Sequence, residues 1–221
     1  MKGSRGGVDV RLVAVLVAAL VALFGLAVWL WLAGREPGEG SVEAGFARDM
    51  ISHHAQAVEM AEIVRDRTED PKVRTLAKDV ALTQQAQIGQ MQGWLAVWGL
   101  SPTGAEPAMS WMGMPTDGRM PGMATREEIN RLREMPPGEA DKRFLQLMIP
   151  HHRAALDMAG AALERTDQPE VVGLATAIKN SQESEIAAMQ QMLRDMGGKA
   201  PAEDPSGGMD NMPGMEQGDG S

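Results

Sequence analysis

Three patterns of apolar and polar positions divide the chain. Residues 12–33 run for 22 positions without a charge, and at about 1.5 Å per helical residue such a segment spans a hydrocarbon core of roughly 30 Å. Beyond it, apolar positions recur every three to four residues. Phe46, Met50, His53/His54, Ala57, Met60/Ala61 and Val64 mark one helical face, and Asp70-Pro71 supplies an N-cap and a first-turn proline for a second helix. The stripe of that helix is Val73, Leu76/Ala77, Val80, Gln84, Gln87/Ile88, Met91 and Leu95/Trp98, and Gly99 ends it.

The pattern returns 98 residues later: 46–99 overlies 144–197 without a gap, with 20 of 54 positions identical. The identities include Phe46/Phe144, Met50/Met148, His53-His54/His151-His152, Met60/Met158, Gln84/Gln182 and Met91/Met189. The four histidines therefore form two equivalent pairs, and polar positions were retained along with apolar ones. Pro169 opens the last helix and Gly197-Gly198 ends it. A lone helical hairpin cannot bury both of its stripes, so the predicted fold is all-α: a four-helix bundle from two duplicated hairpins, preceded by one transmembrane helix.

The organisation this predicts is a cytoplasmic N-terminus (1–11), an anchor (12–33), a linker (34–43), a first hairpin (44–99), a Met-rich connector (100–138), a second hairpin (139–197) and a disordered Met-rich tail (198–221). Within the connector, Thr125-x-x-Glu128 is a capping box that opens a short helix to about Glu134. Pro150 stands directly before His151-His152, where the first repeat has Ser52, and predicts a restart or kink that frees the carbonyl near Gln146.

Lys2, Arg5 and Arg11 precede the apolar run, while Arg35, Glu36 and Glu39 follow it, so the positive-inside bias places the N-terminus in the cytoplasm and the rest outside. Trp29 and Trp31 sit where an outer interfacial belt falls. The alternative is a cleaved signal peptide, whose apolar core is about 7–15 residues and whose small-x-small cleavage site Trp-Leu-Trp-Leu-Ala-Gly matches poorly. The chain carries a net charge of -9; without Lys2, Asp9, Arg5 and Arg11 it holds 18 basic and 29 acidic residues, a charge of -11. Such a domain attracts cations and repels nucleic acid.

Composition narrows the chemistry. There is no cysteine, which excludes thiolate metal sites, iron–sulfur clusters and cysteine nucleophiles, whereas there are 18 methionines, four histidines and no tyrosine. Thioethers are soft ligands that select Cu(I), and imidazole also suits copper. The connector holds Met109, Met112, Met114, Met120 and Met123, and the tail holds Met209, Met212 and Met215; in flexible Gly/Pro segments they have no core to fill and read as secondary capture sites. Met-Pro-Gly-Met occurs in both.

Inside the bundle, Met50, Met60, Met91, Met148, Met158 and Met189 lie at core spacing, where a methionine fills gaps as readily as it binds metal. Adjacent histidines on a helix project about 100° apart, which predicts one imidazole on the bundle axis and its neighbour at the stripe edge. Two pairs related by the repeat can bring imidazoles together; the alternative is an inward imidazole bonded to Gln84 or Gln182, without metal. The inward Glu-x-x-His pairs of a di-iron site are missing, as are catalytic triads and phosphate loops, so the chain is not read as an enzyme.

Phe46-x-x-x-Met50-x-x-His53-His54-x-x-Ala57-x-x-Met60-Ala61, its copy Phe144-x-x-x-Met148-Ile149-Pro150-His151-His152 with Met158-Ala159, Gln182-x-x-Glu185-Ile186-x-x-Met189 and Trp94-Leu95-x-x-Trp98-Gly99 resemble the family called domain of unknown function 305. The resemblance covers about 44–197 and implies a ferritin-like four-helix bundle of exported bacterial proteins, some of which resemble periplasmic copper-binding proteins. Gln87 stands where the family pattern, kept at Glu185, expects a glutamate.

These readings predict a single-pass, membrane-anchored, extracytoplasmic protein that binds Cu(I), or Ag(I), as a buffer or relay. Its ligands are drawn from His53, His54, His151, His152, Met50, Met148, Met60, Met158, Met91 and Met189, with Gln84, Gln182 and Glu185 beside them; an envelope copper transporter or chaperone is the expected partner. Because imidazole protonates near pH 6.5 and thioethers do not titrate, His-dependent binding is predicted to fade below about pH 6. The rivals are a metal-free structural or interaction bundle and a copper redox enzyme.

Overall fold

The structure, a computed structural model, describes residues 10–33, 36–199 and 201. It divides into two compact units, one up to Pro37 and one from Gly38 onward. The first unit contains α1 (Val10–Ala33), whose stretch Val10–Leu30 is long and apolar enough to cross a membrane, a property that signal sequences share.

The second unit contains α2 (Val42–Arg65), α3 (Pro71–Val97), α4 (Arg126–Glu134), α5 (Pro137–Arg165) and α6 (Pro169–Asp195), with a 3-10 turn at Ser110–Met112 and no strand among the described residues. α2 and α3 form one hairpin, α5 and α6 the other, and α2 packs on α5 between them. The local signals act as the sequence predicts. The Asp70 carboxylate accepts from the Lys72 and Val73 amides, and the Thr125–Glu128 box is complete in both directions. Both long C-termini close alike: the Leu100 amide bonds the Leu95 carbonyl (2.8 Å) and the Gly198 amide the Leu193 carbonyl (2.8 Å), around Gly99 and Gly197 at φ +68° and +70°.

Pro150 lies inside α5, which continues as helix on both sides of it, so the helix does not restart there. The packing of α5 against α2 and α6 holds the helix together where the ring removes one backbone donor.

The core has two clusters that the repeat exchanges. One joins Met60, Val73, Leu76 and Val80 to Phe144, Met148, Met189 and Leu193; the other joins Met158, Val171, Leu174 and Ile178 to Phe46, Met50, Met91 and Leu95. Of these residues, the four from α2 and α3 in the first cluster have their counterparts 98 positions on in the second, and the four from α5 and α6 have theirs 98 positions back, so α2 and α5 run antiparallel about a local twofold. Each end of the pair is also locked by matched hydroxyls: Thr68 Oγ1 donates to Asp141 Oδ2 (2.8 Å), and Thr166 Oγ1 donates to Glu43. The connector adds α4 to the first cluster through Ile129 and Leu132, and Met109, Met112 and Met120 to the second.

Candidate metal centre

The local twofold passes between His53 of α2 and His151 of α5, whose ring centroids lie 3.8 Å apart with planes inclined by 38°. These are equivalent positions of the two repeats. His54 and His152 point instead at the second helix of their own hairpins: His54 Nε2–H donates to Gln87 Oε1 (2.8 Å), and His152 Nε2–H to Glu185 Oε2 (2.6 Å). Gln87 and Glu185 are likewise 98 positions apart. His53 Nε2–H reaches the Pro121 carbonyl of the connector at 3.4 Å.

All four imidazoles are buried, which corrects the expectation that one of each pair sits at the stripe edge. The reason is that α2 and α5 are the middle helices, covered on one side by each other and on another by α3 or α6, so two directions about 100° apart both meet protein. A second correction concerns the glutamines. Gln84 and Gln182 do not bond the histidines; they are buried with both side-chain polar atoms of Gln84 and Oε1 of Gln182 unpartnered. The actual partners lie one turn further along the same stripes.

With Nε2–H engaged, the lone pair of a neutral imidazole resides on Nδ1. Nδ1 of His53, His54 and His152 is buried without a hydrogen-bond partner, as is Nε2 of His151. Buried polar atoms are rarely left so, and an ion is one of the recognised reasons. Burial pushes His53 down to about 4 and His54 down to about 3, and it holds His151 well below the ordinary imidazole value, with neighbouring imidazoles adding to the effect. Burial thus favours the neutral form of these three rings below pH 6, where imidazoles of ordinary value take up protons.

The thioethers flank this layer. Met50 lies one turn before the first pair in the second cluster with Met91 and Met158, and Met148 one turn before the second pair in the first cluster with Met60 and Met189. Three connector methionines expected in flexible chain are core residues: Met109, Met112 and Met120 are buried in the second cluster, where they fill space between α2 and the connector. Met123 is partly buried against that cluster, and Met114 is exposed. Met209, Met212 and Met215 lie outside the described residues. Among the described residues, no three His, Asp or Glu side chains form a group able to hold a metal.

Sequence reasoning missed the connector's hold on α2. Asp49 Oδ2 accepts from the Met109 amide (2.7 Å) and from Trp111 Nε1 (2.8 Å), and the Trp111 ring meets Phe46 edge-on at 5.8 Å. The Gln56 amide pairs with both backbone groups of Ala124, donating at 3.1 Å and accepting at 2.7 Å. Asp49 and Gln56 are polar where the repeat copies are Leu147 and Ala154; that loss of symmetry was the available signal.

Two hairpins packed around a buried layer of four imidazoles, with methionines above and below, define an all-helical bundle protein. The chain belongs to the family "Domain of unknown function (DUF305)", whose model matches residues 43–193. It is similar to a solved DUF305 protein from Streptomyces coelicolor, at 46% identity and TM-score 0.71, over 75% of this chain and 100% of that one. It is also similar to CopM in its Cu(I)-bound form, at 26% identity and TM-score 0.53, over 72% of this chain and 99% of that one; CopM has been solved with Cu(II) and Ag as well. An uncharacterised protein, L153, of Acanthamoeba polyphaga mimivirus is 36% identical over 50 residues, 23% of this chain, and the match spans only 33% of the viral protein's length.

Proposed function

We propose that this protein is a membrane-anchored, extracytoplasmic carrier of Cu(I), and of Ag(I), that buffers the ion or relays it to an envelope copper transporter or chaperone. The observation that carries the reading is the contact of His53 with His151 in a core where four ring nitrogens have no partner. A soft monovalent ion is satisfied by few ligands, imidazole and thioether among them. His53 and His151 would supply nitrogen, and Met50 and Met148 thioether sulfur, with His54 and His152 fixed by Gln87 and Glu185 as the next donors. The absence of a closed His/carboxylate group among the described residues favours Cu(I) over a hard divalent ion. CopM's Cu(I), Cu(II) and Ag forms support the choice of metal.

The exposed Met114, the partly buried Met123 and the tail's Met209, Met212 and Met215 would serve for capture, and Met60, Met91, Met158 and Met189 would line the interior. A metal-free interaction bundle is the second reading, favoured by the hydrogen bonds that already hold His54 and His152. Anaerobic thermal unfolding of the full chain in detergent separates the two. At a free Cu(I) concentration of about 100 times Kd, a specific site raises stability by about 2.7 kcal/mol. That gain disappears in His53→Ala/His151→Ala if the imidazoles are ligands; a variant that is merely less stable, with no metal-induced rise in either protein, supports the second reading.

A further inference from the structure

The four imidazoles have no open path to solvent, because each is buried. Over the His53/His151 contact lies one stretch of non-helical chain, 120–124, with the sequence Met-Pro-Gly-Met-Ala. Its Pro121 carbonyl is the group 3.4 Å from His53 Nε2. Gly122 lies flat on α5 at φ +72°, so close that a Cβ there would meet the Pro150 carbonyl oxygen at 2.5 Å, Ala154 Cβ at 2.8 Å and His151 Cα at 3.0 Å. Met120 is inserted in the cluster that holds Met50, Met91 and Met158, and Met123 packs on its edge. Unlike the helices, the stretch has no ladder of backbone bonds: it is held by side-chain packing, a 3.3 Å turn bond from the Met123 amide to the Met120 carbonyl, the Pro121 contact with His53 and the two bonds from Gln56 to Ala124.

We propose that 120–124 is a thioether-bearing lid, latched by Gln56, through which the ion reaches the buried imidazoles. When the lid lifts, Met120 and Met123 are exposed together and take the ion from solution; as it closes, Met120 returns to the cluster beside Met50 and delivers the ion one helical turn from His53. The step is ligand exchange only: thioether–metal bonds form first, imidazole–metal bonds replace them, and the Pro121 carbonyl gives up or regains the His53 N–H. No electron moves. The inference rests on the Cu(I)-carrier reading above and adds the route and its latch. Gln56 is a positioning residue, since it touches the lid and not the ion.

The test is stopped-flow exchange of Cu(I) between a chromogenic chelator and the full chain in detergent, for the wild type, Gln56→Ala and Met120→Leu/Met123→Leu. Unlatching with Gln56→Ala is expected to raise uptake and release rates together by about tenfold, the scale that two hydrogen bonds of ordinary net strength permit, with little change in their ratio. The double leucine variant keeps the apolar packing and is expected to slow uptake. Hydrogen exchange on the metal-free protein adds a readout that needs no metal: the amides of 120–124 should exchange faster than those of α2 and α5, and faster still in Gln56→Ala. Binding with unchanged rates in both variants overturns the lid and leaves the carrier reading standing. If the wild type takes up no Cu(I), both fall.

Discussion

Acidification should unfold this protein through its histidines before its carboxylates. The unfolded chain takes up a proton on each imidazole near the ordinary value of 6.5, whereas His53 and His54 in the fold stay neutral to about 4 and about 3. Their folded values are depressed, so between those limits the unfolded state binds more protons, and stability falls as pH falls. At about 1.4 kcal/mol per pH unit below 6.5, each of these two imidazoles removes about 2 kcal/mol by pH 5, about 4 kcal/mol together. His151 acts in the same direction. Asp49, Asp141 and Asp157 are pushed up by burial and act oppositely, but their window lies nearer the carboxylate range. For a domain of this size 4 kcal/mol corresponds to a Tm lower by about 8–16 °C. Differential scanning calorimetry of the metal-free protein at pH 7 and pH 5 reads this directly, with His53→Gln/His54→Gln expected to lose most of the difference. A Tm independent of pH over that interval, or an equal slope in the double variant, would refute the claim that the imidazoles are buried and neutral.

Three further outcomes follow from the same geometry. Because the rings stay neutral, His-dependent Cu(I) binding should persist at pH 5 and fail at about pH 4, as competition titrations at stepped pH will show. Thr68→Val removes the hydroxyl that serves Asp141, whose Oδ1 already has no partner, and should lower unfolding free energy by about 1–3 kcal/mol in urea melts. Glu185→Gln makes the second half match the first at His152; it should leave the fold intact by circular dichroism and cost about 1–2 kcal/mol, because a 2.6 Å bond to a carboxylate becomes a neutral one.

What could be read from the sequence was what is local or duplicated. Asp70-Pro71, the Thr125–Glu128 box and Gly99 act within one helical turn, so residue order alone determines them. That imidazoles of the two repeats can meet was legible in the duplication, because a twofold brings equivalent positions together on its axis; that His53 and His151, not His54 and His152, are the ones in contact was not. What escaped depends on three-dimensional neighbours. Taking Gln84 in place of Gln87 as the glutamine that could bond an inward imidazole is an error of one turn, which spacing alone cannot resolve on a face where both residues are buried. The connector looked flexible because its composition is rich in glycine and proline, yet Asp49 and Gln56 fasten it to α2 and bury three of its methionines. Burial of both members of each histidine pair required knowing that α2 and α5 form the middle of the bundle.

The most direct test of the central claim is an anaerobic competition titration of the full chain with Cu(I) against a chromogenic chelator, beside His53→Ala/His151→Ala. The account predicts tight binding by the wild type that weakens by at least about 100-fold when both central nitrogens are removed, as expected for loss of charge-assisted ligands that total about 3 kcal/mol. Equal competition by the two proteins would place any copper on the outlying methionines, and no competition by either would contradict a metal centre in the bundle.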